Sequence, residues 1–123
     1  MGKEFSFLFK DFATYVLYGL KKHDEISICR MSLHCTGDLI RSLEEEFSPY
    51  VPQFVPLVIN IINDPIYDRT VKTVALNVLS DSLLYVREAS LYYFGDIMTL
   101  ITNALEAGYY IPKVSVIYYL IKG

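Results

Sequence analysis

The chain lacks most of what catalysis or nucleic-acid binding requires. It has 11 Lys and Arg against 14 Asp and Glu, a net charge of −3, and an isoelectric point near 5.3. There is thus no basic footprint for a nucleic acid, although the slight acidity favours basic partners. Only two histidines and two cysteines are present. Cys29 and Cys35 share one predicted helix at a spacing that suits neither a chelate nor an intrahelical disulfide, so both read as buried thiols of a reduced compartment. Neither histidine forms a relay with Ser and Asp, no glycine-rich phosphate loop appears, and no metal-ligand spacing is found. No catalysis, cofactor or metal is expected. No secretory signal is visible; Met1–Ser6 fits the short N-myristoylation pattern, which counts only if Met1 is the natural start. Long apolar spans are missing too: the best candidate, Phe47–Asn63, contains three prolines, one glutamine and two asparagines, so no membrane insertion is expected.

What is present is apolar surface and a repeat. Hydrophobic residues make up 53% and charged residues 20%, with a mean hydropathy of +0.31. A period of 43 residues sets Leu33 against Leu76, Cys35 against Val78, Gly37 against Ser80, Asp38 against Asp81 and Ile40 against Leu83. It also carries Tyr50 to Tyr93, Val58 to Ile101 and Ile62 to Leu105. Self-similarity at about 40–47 residues with helical spacing inside each unit marks stacked helix pairs of the HEAT or armadillo kind. The expected fold is all-α, a right-handed α-α superhelix of about two and a half helix pairs. Such arrays bind partners along an extended surface. An excised slab leaves end faces uncovered, so the apolar excess fits a segment of a longer solenoid and implies self-association through those faces.

Helical periodicity and breakers place helices at about 4–22, 25–43, 49–63, 68–86 and 89–107. The first turns Leu8, Phe12, Tyr15, Val16, Gly19 and Leu20 to one side and breaks at His23–Asp24. The second turns Ile28, Met31, Leu33, Cys35, Leu39 and Ile40 inward. Glu44–Glu46 form a solvated acidic corner, and Ser48–Pro49 reads as a capped start with proline at the first helical position. Pro56 bends the third helix. The tail 108–123 is apolar and divergent, and two readings stand for it: a short helix completing a third pair, or a strand-like segment.

Asp64-Pro65-Ile66-Tyr67-Asp68-Arg69-Thr70-Val71-Lys72-Thr73-Val74-Ala75 looks like the HEAT hallmark: a turn aspartate, a Val-Lys pair and a small alanine where helices meet. Asp24 with Ile28-Cys29-Arg30 is a weaker version. With Cys35-Thr36-Gly37-Asp38-Leu39-Ile40-Arg41 and Asn77-Val78-Leu79-Ser80-Asp81, the stretch from about Phe5 to Leu105 resembles the C-terminal half of importin-β (karyopherin-β) nuclear transport receptors. The resemblance implies a non-catalytic scaffold whose partners are Ran-GTP, importin-α or basic cargo, and Phe-Gly nucleoporins, in cytoplasm, nucleus and nuclear pore. It implies a concave binding face at His34, Asp38, Asn77 and Asp81. It also implies convex Phe-Gly contacts at Phe12, Tyr50, Phe54, Tyr93 and Phe94. Members of the family use tryptophans with acidic residues to grip importin-α, and this chain has no tryptophan. The alternatives are another HEAT scaffold, such as a phosphatase regulatory subunit, or a small all-α enzyme.

Overall fold

The computed structural model describes the backbone of residues 3–22 and 24–109, with side chains from Lys10 onward within those ranges. Met1 and Gly2 of the lipidation pattern, the side chain of Leu8, His23 and the tail beyond Tyr109 lie outside the described residues. The helices are α1 (Lys3–Leu20), α2 (Ile26–Leu43), α3 (Val51–Asn63), α4 (Arg69–Tyr85), a short α5 (Arg87–Ser90) and α6 (Phe94–Glu106). There is no strand among the described residues.

The repeat is visible in the helix boundaries. α2 and α4 start 43 residues apart, and α3 and α6 both start and end 43 residues apart. Each of α3 and α6 is entered through a 3-10 segment, Glu44–Tyr50 and Leu91–Tyr93, whose last residue is a tyrosine. Burial follows the same register: Leu33 and Leu76, Val58 and Ile101, Leu43 and Val86, and Phe47 and Ser90 are all buried.

α2 packs on both α1 and α4, and α3 packs on α4, while α6 adds the first helix of a third unit against α4. Small residues set the spacing. A Cβ at Gly19 would stand 1.9 Å from the Ser32 Oγ, so the α1–α2 approach favours glycine opposite this serine. Ala75 is fully buried, as the hallmark implies. Two buried hydroxyls are satisfied within their own helices: Thr36 donates to the Ser32 carbonyl and Ser80 to that of Leu76.

Several sequence expectations change. Ile28 and Met31 are exposed; α2 instead buries Cys29, Ser32, Leu33, Thr36, Gly37, Ile40 and Leu43, because small polar residues permit the close approaches that its neighbours need. Phe12 and Tyr15 are exposed as well, while Ala13, Val16 and Leu20 form the inner stripe of α1. Ser48 does not cap α3: its hydroxyl donates back to the Glu45 carbonyl, and α3 starts at Val51 with Pro52 in its first turn. The expected helix over 89–107 is interrupted by the 3-10 turn, its junction with α4 held by the Ser90 hydroxyl donating to the Ser82 carbonyl at 2.9 Å.

Capping at the other ends follows local chemistry. Asp68, not Asp64, caps α4, accepting from the Val71 N–H at 3.1 Å. Asp64 closes the turn before it by accepting from the Ile66 N–H. Gly108, at φ 88°, ends α6 in a Schellman arrangement: its N–H donates to Leu105 and that of Tyr109 to Ala104. Arg69 then ties α4 to this end, donating to the Ala107 carbonyl at 2.9 Å with its guanidinium 4.2 Å from the Tyr109 ring centre.

Candidate partner-binding groove

α2 and α4 are equivalent helices packed side by side, and largely different stripes of the two meet across their seam. A groove of about 310 Å³ opens there, lined on α2 by Leu33, His34, Gly37 and Arg41 and on α4 by Val74, Asn77, Val78 and Asp81. Three of the four concave-face residues expected from the sequence, His34, Asn77 and Asp81, therefore share one groove.

The two aspartates are equivalent in sequence and unlike in environment. Asp81 is 1% exposed and accepts from Arg41 Nη1 at 2.6 Å. Asp38, whose side chain is 72% exposed, pairs with Nη2 of the same guanidinium. One arginine thus bridges a buried carboxylate on the next helix and an exposed one on its own. Burying Asp81 is tolerable because it is paired and hydrogen-bonded. The pair is not a row of two open carboxylates: Asp81 organises Arg41, and Asp38 is the acid that a partner can reach. Gly37 makes room for this, since a Cβ there would stand 3.3 Å from Arg41 Nη1 and 3.6 Å from Asp81 Oδ2. Arg41 was missed in the sequence, although it stands three residues beyond Asp38, on the same side of a helix.

The aromatic set does not gather into one surface. Phe54 is 1% exposed and packs on Phe47 with ring centres 5.1 Å apart, so it belongs to the core and cannot meet a partner's phenylalanine. Tyr50 is half-buried beside Phe47, Tyr93 is half-buried edge-on to Tyr92, and Phe94 is half-buried at the start of α6. Phe12 is exposed on α1.

A second recess of about 210 Å³ lies between α3, α4 and α6, bounded by Ile62, Lys72, Leu76, Leu100, Ala104 and Tyr109. Among the described residues no cluster of His, Cys, Asp or Glu could hold a metal, and no helix is long and apolar enough to cross a membrane. Elsewhere, Cys29 is fully buried, and its thiol is pushed above the ordinary value mainly by burial, opposed by a hydrogen bond with Tyr67. Burial is likewise the main cause raising the Tyr67 hydroxyl, and the Cys29 contact adds to it.

A stack of helix pairs with a 43-residue register, joined along a groove, is a helical-repeat fold of the HEAT type. The chain matches the family described as importin subunit beta-1-like, TPR repeats, over residues 1–121. It belongs to that family. The 43-residue register is longer than the 34 residues of a TPR unit and is the HEAT-type spacing. Its relatives include importin subunit beta-1 of Schizosaccharomyces pombe, 26% identical over 104 residues. Importin subunit beta-1 of Arabidopsis thaliana is 24% identical over 105 residues. In each case the match covers 85% of this chain and 12% of the relative. No solved structure matches the chain.

Proposed function

We propose that the chain is a segment of a nuclear transport receptor of the importin-β type, a protein-binding scaffold without catalytic activity. The observation that carries the reading is the family match over residues 1–121. The α2–α4 groove supports it by offering a surface of mixed polar and apolar lining on two stacked helices. In this reading a basic segment of cargo or of importin-α, or a basic patch of Ran-GTP, meets the Asp38 carboxylate, with His34 and Asn77 beside it. Asp81 contributes by holding Arg41 in place. Phe12, Tyr50, Tyr93 and Phe94 give shallow, weak contacts to Phe-Gly nucleoporins, which gain strength through multiplicity. The receptor works in cytoplasm and nucleus and passes through the nuclear pore.

Pull-down by the intact parent protein of Phe-Gly repeats, Ran-GTP and a basic importin-α segment tests this. Binding of at least one is expected, with Asp38→Lys weakening the basic segment. Binding of none overturns the transport reading.

A further inference from the structure

The recess between α3, α4 and α6 owes its shape to residues particular to this unit. One period earlier the same place is packed: Leu20, Cys29, Leu33 and Ile61 are each at most 1% exposed. Their counterparts 43 residues on are Asn63, Lys72, Leu76 and Ala104, all of which line the recess. Ala104 in place of isoleucine leaves room. Ala107, also in the lining, stands where Asp64 stands one unit earlier, so a carboxylate has given way to a methyl group. Lys72 takes the place of a thiol. It is half-buried, and among the described residues no carboxylate pairs with it or lines the recess. Arg69 adds a second cation at the rim, donating to the Ala107 carbonyl and lying over the Tyr109 ring. The result is a space with apolar walls, positive charge and no acid of its own.

We propose that this recess binds a carboxylate side chain carried on an apolar stretch of a partner polypeptide. Apolar neighbours of that acid pack on Ile62, Leu76 and Leu100. The acid itself meets the Lys72 ammonium, since a lysine lays its stem along apolar walls and keeps its charge at their edge. Such a pair is a charge-assisted hydrogen bond, stronger than a neutral one. Asn63 and Asn103, exposed on the rim, offer amides to the partner's backbone. Inorganic phosphate satisfies the charge and leaves the walls bare, and a basic segment meets only like charge. The site is separate from the α2–α4 groove, so the inference stands independently of the transport role.

Chemical-shift titration of the whole chain with acetyl-Leu-Asp-Leu-amide tests it. The peptide should shift Asn63, Leu76, Leu100 and Asn103, and bind about tenfold tighter than acetyl-Leu-Asn-Leu-amide. Lys72→Gln should erase that preference and Lys72→Arg should keep it, with circular dichroism checking that both variants fold. Ala107→Asp, at an exposed position, supplies an internal acid and should weaken the acidic peptide about tenfold, whereas Ala107→Asn should not. Equal affinity for the two peptides overturns the inference, as does a preference that survives Lys72→Gln. So does displacement of the peptide by an equal concentration of inorganic phosphate, which would assign the site to a free anion.

Discussion

Removing the Arg41 guanidinium would take a 2.6 Å ion pair away from the almost fully buried Asp81 carboxylate. Breaking a buried pair from one side costs about 3–5 kcal/mol; because the Arg41 side chain is 40% exposed, about 2 kcal/mol is expected after screening. Arg41→Met should therefore lower stability by about 2 kcal/mol in urea unfolding, and adding Asp81→Leu should recover at least half of it. Asp38→Asn, at an exposed carboxylate, should cost under about 1 kcal/mol. Glu44 gives the opposite sign. Its φ of 52° and ψ of −124° suit the first central position of a type II′ turn, where glycine is favoured. Glu44→Gly should raise stability by about 1 kcal/mol in the same measurement.

Between elements, α1 and α2 approach closely at Gly19. Gly19→Ala forces its methyl onto Ser32 and should cost about 1–3 kcal/mol by thermal or urea unfolding. Ser32→Ala removes the hydroxyl that stands 1.9 Å away, leaving the Ser32 Cβ at 3.1 Å, so the double variant should regain much of the loss. This approach also shows what the sequence could reveal. The 43-residue period gave the helix pairs and their register, because apolar residues must recur wherever equivalent seams recur. His34, Asn77 and Asp81 line one groove, whereas Asp38, the equivalent of Asp81, does not. The period could not show that Asp38 and Asp81 differ. That depends on which helix has a neighbour on its open side, and periodicity treats both alike. The inner stripe of α2 was misread at Ile28 and Met31 for the same reason: their hydrophobicity suits a neighbour beyond the described helices, while Ser32, Thr36 and Gly37 pack inward. Phe54 as a surface contact failed because helical spacing alone does not separate core aromatics from exposed ones.

For the whole molecule, the buried Cys29–Tyr67 contact sets a limit at alkaline pH. Both groups are held above their ordinary values, 9.0 for the thiol and 10.0 for the phenol. Above those values the unfolded chain releases protons that the folded chain retains, so their contribution falls as pH rises. It is intact below about pH 9 and should decline through pH 9–11, by at most about 1.4 kcal/mol per pH unit per proton. Urea midpoints at pH 8 and about pH 10 should show the drop. Cys29→Ala should flatten its first part and Tyr67→Phe its second. A drop unchanged in both variants would place the alkaline sensitivity elsewhere.

The forked grip of Arg41 has a mechanical consequence. One amino group of its guanidinium holds a carboxylate on its own helix while the other holds a carboxylate on the next, beside the open spacing at Gly37. Because the guanidinium is a rigid planar fork, any shift of α4 that carries Asp81 away must break the contact to Asp81 or the contact to Asp38. The seam is therefore pinned at this point, and the pin belongs to this pair of helices alone among the described ones, because the position 43 residues beyond Arg41 is Leu84.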